Sequence, residues 1–362
     1  QSAARIARSQ AHSHAGISPN PDVFRMNPFQ RHPSLGSGVV ACSSSVFNEI
    51  MPHTMQLSQT HWQAGRFRLD LQFPHIMGIV NVTPDSFSDG GQHADARSAL
   101  LHAEGLIRQG ATILDIGAES TRPGARAVPL EEELRRVLPV VREAVRFKVA
   151  VSVDTYKPEV MQAVLDAGAD IINDIHALRW HSGPDGLDGE QVVVQHGSCG
   201  VCLMHMHLDP QTMQVQPMQG SSDEVVRDVA AFLHQRAGDL MCRGVMQDRI
   251  VLDPGIGFGK TVPQNLALLA QQSQLLANGH AILAGWSRKS TLGAVLEALP
   301  PGITDVAHCC ELLPHDRSLA SVAAAVLAVE RGARIVRVHD VAATRQALAV
   351  WRSMQALDVR AA

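Results

Sequence analysis

Aromatic residues make up only 4% of this 362-residue chain, with a single tyrosine, so aliphatic side chains within a 45% hydrophobic share must build its core. Positive charge is in deficit too: the formal net charge is −4 at pH 7. Such a chain has no general field to attract a nucleic-acid backbone or an anionic membrane, and any anionic substrate must meet positive charge that is local. No apolar run approaches the 18 or more residues of a spanning helix. Nor is there a disulfide framework. The six cysteines, Cys42, Cys199, Cys202, Cys242, Cys309 and Cys310, lie scattered through a long chain, which predicts free thiols in a reducing, cytoplasmic setting.

Residues 1–54 lack both a sustained apolar period and any acidic residue before Asp22. Rich in Ser, His, Pro and Asn, and too short for a domain, they are expected to form an N-terminal extension without structure of its own. Arg5 and Arg8 would suit an organellar transit segment; non-native sequence ahead of a start at Met51 or Met55 is the favoured account. Residues 55–362 then form one domain.

From His75 onward short β-branched runs alternate with amphipathic segments, the pattern of βα units around a parallel sheet. Eight such runs are expected as strands: Ile76–Val80, Thr112–Ile116, Val149–Val153, Asp170–Ile172, Val201–His205, Arg249–Leu252, Ala281–Ala284 and Arg334–Val338. Between them apolar residues recur three and four apart, as at Leu134, Val137, Leu138 and Val141, behind the acidic first turn of Glu131, Glu132 and Glu133; Pro139 should kink this helix. The span from Ile76 to Trp351 suits the roughly 250 residues of a (β/α)8 TIM barrel. A doubly wound open sheet would carry a Gly-rich turn after its first strand, and Asn81-Val82-Thr83-Pro84-Asp85 is not one.

Two other motifs fail on geometry. Cys199, Cys202, His205 and His207 have the look of zinc ligands, but along a strand Cys202 and His205 point to opposite faces, so packing is the better reading of Cys202. Gly255-Ile256-Gly257-Phe258-Gly259-Lys260-Thr261 suggests a phosphate loop, yet that motif needs Gly where Pro254 stands.

Nearly every expected strand ends in a residue that is costly to bury. These are Asn81; Asp115 and Glu119; Asp154; Asn173 and Asp174; His205; Asp253; Arg288 and Lys289; and Arg337 and His339. In a barrel these ends converge on one face, the catalytic one. Any single Asp or Asn there could merely cap a helix or tie a loop, but the set as a whole argues for a pocket. Asp154, Asn173 and Asp253 with Lys289 can read a flat heterocycle bearing amino and N–H donors on one edge and a carbonyl on another, such as a pterin or a purine. Arg122, Arg337 and His339 with Asn81 suit phosphate oxygens, and Asn81 is also a plausible magnesium ligand.

The run Gly78-Ile79-Val80-Asn81-Val82-Thr83-Pro84-Asp85-Ser86-Phe87-Ser88-Asp89-Gly90-Gly91 resembles the first signature of dihydropteroate synthases. Asp115-Ile116-Gly117-Ala118-Glu119-Ser120-Thr121-Arg122-Pro123-Gly124 resembles the second. Asp154-Thr155-Tyr156-Lys157, Asn173-Asp174-Ile175, Asp253 to Lys260, Ser287-Arg288-Lys289-Ser290 and Arg337-Val338-His339 continue the match in order, across the whole barrel.

The resemblance implies a transferase of folate biosynthesis that joins 4-aminobenzoate to 7,8-dihydropterin-6-ylmethyl diphosphate, with Mg2+, and that sulfonamides target. It further implies that Asp154, Asn173, Asp253 and Lys289 hold the pterin, that Asn81 binds the metal, and that Thr121, Arg337 and His339 surround the diphosphate. By the same resemblance Phe87, Asp89, Arg122 and Pro123 lie on loops that close over the site, and Ser290 receives the aminobenzoate carboxylate. Asp89, Arg122 and Lys289 are the expected catalytic groups, Asp89 steadying a pterin cation. Partners beyond the small-molecule substrates would be a second copy, in a homodimer through outer helices.

His207, where the family often has Gln, Trp286, and a long 299–314 stretch depart from the pattern. The rival readings are a methyltetrahydrofolate-binding methyltransferase barrel and a silent pterin-binding homologue. The cationic end at Arg337 and His339 disfavours the first, and the intact set of polar residues disfavours the second.

Overall fold

A computed structural model describes residues 59–82, 92–121, 124–181, 183, 186–277, 279–298 and 316–358. The N-terminal extension, Phe87, Asp89, Arg122, Pro123 and the 299–314 stretch lie outside these.

The described residues begin with an antiparallel hairpin, β1 (His61–Ala64) and β2 (Phe67–Asp70), turning at Gly65. Then follow β3 (His75–Asn81), α1 (Gln92–Gln109), β4 (Ile113–Gly117), α2 (Leu130–Ala144), β5 (Ala150–Asp154), α3 (Pro158–Asp166), β6 (Ile171–Asp174), α4 (Gly189–His196) and β7 (Gly200–Met204). The second half runs α5 (Ser222–Cys242), β8 (Ile250–Asp253), α6 (Val262–Ala270), β9 (Ala281–Ala284), α7 (Ser290–Glu297), α8 (Ser318–Glu330), β10 (Ile335–Val338) and α9 (Val341–Asp358). Strands β3 to β10 are all parallel and close into a barrel in the order β10-β3-β4-β5-β6-β7-β8-β9. This is the expected (β/α)8 fold, with each expected strand within two residues of its observed position. Helix α2 runs unbroken through Pro139.

Alternation along each strand sorts side chains into two cores. Ile76, Val80, Leu114, Ile116, Val151, Val153, Ile172, Leu203 and Leu252 face outward, where the amphipathic helices cover them. Met77, Ile113, Ala150, Ile171, Cys202, Val251, Leu283 and Ile335 face inward and fill the lower half of the lumen. The same parity carries Asp115, Asp154, Asn173, Asp253 and Arg337 inward one or two steps higher. A barrel interior is thus apolar below and polar above, with nothing but strand direction deciding which.

The hairpin had no counterpart in the strand pattern read from the sequence, although Trp62, Ala64, Phe67 and Leu69 flank the turn at Gly65 with an apolar-polar alternation. Its job is to close the lower mouth. Trp62, Ala64, Leu69 and Leu71 join the inward cluster, and the Trp62 indole N–H donates to the Arg249 carbonyl at 3.0 Å. Arg66 clasps Asp170 with two side-chain bonds of 2.9 and 2.7 Å, while Asp170 also accepts from the Val151 N–H. Gly200 makes room for the plug: a Cβ there would stand 2.9 Å from the Trp62 indole nitrogen. Because Trp62 is fully buried, Trp62→Ala should lower the unfolding free energy by about 3–5 kcal/mol in a urea titration while leaving ligand binding at the opposite mouth in place. A loss below about 1 kcal/mol would show that the hairpin is not part of the core.

Candidate active site

The upper mouth is lined by Ile79, Thr121, Asp154, Asn173, Ile175, Met204, Asp253, Ile256, Phe258, Gly285, Ser287, Lys289 and Arg337. Six of the residues singled out from the sequence, Thr121, Asp154, Asn173, Asp253, Lys289 and Arg337, therefore share one cavity. Its polar groups sit between apolar walls, the form of a slot for a flat ring with hydrogen-bonding edges.

Asp115 organises the floor. It is fully buried and accepts from Ser152 Oγ at 2.6 Å, Asn173 Nδ2 at 3.2 Å and Arg337 Nε at 2.6 Å. Arg337 reaches past it to Asp154, with its second nitrogen 2.8 Å from Oδ2. One guanidinium thus serves two carboxylates. Burial opposes its charge, but Asp115 and Asp154 outweigh that and hold Arg337 above its ordinary range. Burial lifts Asp154 to about 7, with Arg337 opposing the rise. The sequence reading grouped Arg337 with the phosphate-binding residues, apart from the heterocycle-binding set; here it touches that set directly.

On the other side, Asp253 is buried and accepts from the Gly255 N–H at 2.7 Å. Burial raises its carboxyl, opposed by that hydrogen bond and by Lys289. Burial pulls the Lys289 ammonium down to about 8, with Asp253 opposing, and Nζ lies 4.1 Å from the centre of the Phe258 ring. His339, just past β10, is tied to Ser287, whose Oγ lies 2.9 Å from the ring Nδ1 and accepts from the His339 N–H at 3.1 Å. Arg288 adopts a φ of 58° between them, held by Asp340 at 2.8 Å and by its N–H donating to Ser321 Oγ. Ser290 is exposed at the first turn of α7, and Asn81 is exposed at the end of β3.

Other polar residues of the expected ring are structural. Asp174 has the outward parity and accepts from the N–H groups of His176 and Leu178. Glu119 pairs with the buried Lys157, which also pairs with Glu133, and Thr155 donates to Glu133. His205 follows β7 and turns outward against the Phe232 edge. Cys202 packs inside the barrel, whereas Cys199 lies in the outer core beside Arg249.

A family model described as "Pterin binding enzyme" matches residues 77–339. A curated dihydropteroate synthase of Neisseria meningitidis serogroup C is 45% identical over 296 residues, 81% of this chain and 97% of that protein. The chain belongs to the dihydropteroate synthase family. Among solved structures, a Burkholderia cenocepacia dihydropteroate synthase complexed with 7,8-dihydropteroate is 47% identical with a TM-score of 0.70, covering 83% of this chain and 98% of that one. A Xanthomonas albilineans dihydropteroate synthase with 4-aminobenzoic acid is 44% identical with a TM-score of 0.71, covering 83% and 99%.

Ser152, Ser287 and Phe258 were not among the polar strand ends read from the sequence, yet each touches or orders a group that was: Asp115, His339 and Lys289 in turn. For Ser152 the signal was available: it stands two residues before Asp154, an inward polar strand end, and so shares its face. For Phe258 and Ser287 only the folded loops bring them in.

Arg337→Met would leave Asp115 and Asp154 facing each other without a counter-charge, at an expected cost of about 3–5 kcal/mol. Asp154, which burial already raises to about 7, would lose the cation that opposes the rise, so the cost is absent at low pH and grows as pH rises through its folded value. Urea unfolding should therefore show a wider gap between variant and parent at pH 8 than at pH 5. A gap independent of pH would show that the ion pairs are not what the substitution removes.

Proposed function

We propose that this dihydropteroate synthase family member joins 7,8-dihydropterin-6-ylmethyl diphosphate to 4-aminobenzoate in the upper mouth of its barrel. The C–O bond from the methylene to diphosphate breaks and its electron pair leaves with the diphosphate. The aromatic amine then forms the new C–N bond and loses a proton. The observation that carries this reading is the cluster of acceptors, Asp154, Asn173 and Asp253, facing the donor Lys289 across an apolar slot. A pterin offers amino and N–H donors on one edge and a carbonyl for the ammonium on the other.

In this reading Asp154, Asn173, Asp253 and Lys289 bind the pterin, with Phe258 and Met204 as walls. Arg337 holds two of the polar floor groups in place and turns what charge it has left to the diphosphate, together with Thr121 and His339. The exposed Ser290 hydroxyl at the N-terminus of α7 suits the aminobenzoate carboxylate. Phe87, Asp89, Arg122 and Pro123 keep the loop roles implied by the resemblance, with Asp89 steadying the cationic pterin. No strong base is required when the leaving group departs first, so stabilising separated charge is the main catalytic task.

Asn81 fits a magnesium ligand: it is an uncharged hard oxygen donor at the mouth, and such an ion takes few protein groups while keeping waters and phosphate oxygens. Bound there, magnesium would supply positive charge to the diphosphate.

Purified protein given both substrates and magnesium should release diphosphate and form dihydropteroate; absence of that product under every condition would remove this reading. Asp253→Asn should weaken the pterin by about 10- to 100-fold, and His339→Ala should chiefly slow diphosphate departure. Equal, small effects from both would mean that these two roles are misplaced.

Two further readings rest on the surface and the thiols. Leu319 and Leu327 on α8 and Val350 and Leu357 on α9 are exposed, which supports a homodimer through these helices. Light scattering at micromolar concentration should give twice the chain mass, and a monomer mass would end that proposal. Free Cys199, Cys202 and Cys242 suit a reducing cytoplasm, and no helix among the described residues is long and apolar enough to cross a membrane. A disulfide among these thiols, found by mass spectrometry of protein from native cells, would count against that location.

A further inference from the structure

Lys260 is 3% exposed, forms no ion pair among the described residues, and lines no part of the pocket. Its ammonium donates instead to three main-chain carbonyls: Gly255 at 2.9 Å, Phe258 at 3.1 Å and His205 at 3.3 Å. An ammonium has three donors and no acceptor, so all of its capacity is spent on backbone. Two of those carbonyls belong to the β8–α6 loop and one to the end of β7.

The loop is pressed hard against that strand end. Gly255 has a φ of +66°, and a Cβ there would fall 1.9 Å from the same His205 oxygen that Lys260 binds. Gly259 has a φ of +69°, and its Cβ would fall 2.7 Å from that of His207. From the far side Asn265 accepts from the Gly257 N–H at 2.8 Å and donates to the Lys260 carbonyl at 3.1 Å and to Thr291 of α7 at 3.0 Å. Without the ammonium, the His205 and Phe258 carbonyls would lose that donor, while the Gly255 carbonyl would keep the Phe258 N–H at 3.1 Å, and loop movement would relieve the cost.

This loop carries two parts of the pterin slot. Its first N–H binds Asp253, and its Phe258 ring lies against the Lys289 ammonium. We propose that Lys260 is a positioning residue for pterin binding: its ammonium pins the 255–258 backbone to the end of β7 and so sets Asp253, Phe258 and Lys289 in register. The proposal rests on the reading that Asp253 and Lys289 hold the pterin.

Its charge has a second effect at the same place. Asp253 is faced by Lys289, Lys260 and Arg337, all of which favour its ionised form, and Cys202 adjoins it from β7. Lys260 is itself pulled down to about 7 by burial, opposed by Asp253 and reinforced by Lys289; burial lowers its neighbours His205 and His207, and Lys260 adds to that. Below that value Lys260 is charged and helps keep Asp253 ionised, so losing the cation should make pterin affinity fail at a higher pH on the acid side.

The test is calorimetric titration of the full chain with 6-hydroxymethyl-7,8-dihydropterin across pH 5–8, for the parent, Lys260→Met and Lys260→Gln, alongside KM for both substrates. Lys260→Met should weaken the pterin by about tenfold or more while the 4-aminobenzoate KM stays within about twofold. Lys260→Gln keeps two donors without the charge; it should recover most of the affinity at pH 8 yet retain the shifted acid limb. Pterin affinity of Lys260→Met within about twofold of the parent, or equal weakening of both substrates, would overturn the proposal. Should the Met variant fail to fold by circular dichroism, Lys260→Gln decides, and an unmoved acid limb overturns it. A parent that binds no pterin would instead sink the reading of the pocket, and this proposal with it.

Discussion

The guanidinium of Arg337, held between Asp115 and Asp154 inside a closed barrel, is the constraint on which the upper half of the molecule depends. Three charges taken out of water would be prohibitive singly, and they persist because each is satisfied by the others and by Ser152 and Asn173. That arrangement needs β4, β5 and β6 side by side and β10, which β3 separates from β4, turned toward them across the lumen, as the closed sheet provides. Once it is in place the remaining capacity of Asp154 and Asn173 points upward, toward a ligand.

The two ends of the barrel divide the work. At the lower end Trp62 and its hairpin exclude water from an aliphatic lumen, and Arg66 bound to Asp170 fastens the plug. At the upper end the same lumen becomes polar, and loops rather than strands complete it. The charged groups below serve stability; those above can exchange partners with a substrate. Lys260 lies between these categories, a buried cation spent wholly on backbone that shapes a site it does not enter.

How much of this was legible in the sequence can be judged residue by residue. The eight strands were readable because β-branched runs and amphipathic stripes alternate with little interruption. Asp115, Asp154, Asn173, Asp253 and Arg337 were readable as strand ends, and parity along each strand would also have brought in Ser152 and set aside Asp174. Glu119 and His205 were misleading for a different reason. Glu119 finds a cationic partner in Lys157, and His205 turns toward α5, choices made by side chains that are distant in the chain. The hairpin went unread because two four-residue strands beside a chain start of little pattern give too short a period to stand out.

By itself, then, the sequence determined the barrel, its order of strands and the membership of the family, since periodicity and local motifs are properties of neighbouring residues. The tertiary structure alone decided that Arg337 belongs with Asp115 and Asp154, that Ser287 braces His339, and that Lys260 faces carbonyls instead of a ligand. Each of those contacts joins different strands or loops, and its energy depends on burial and angle that exist only once the barrel has closed. The ring of polar strand ends is a property of the chain; which of them share a proton, a charge or a substrate is a property of the fold.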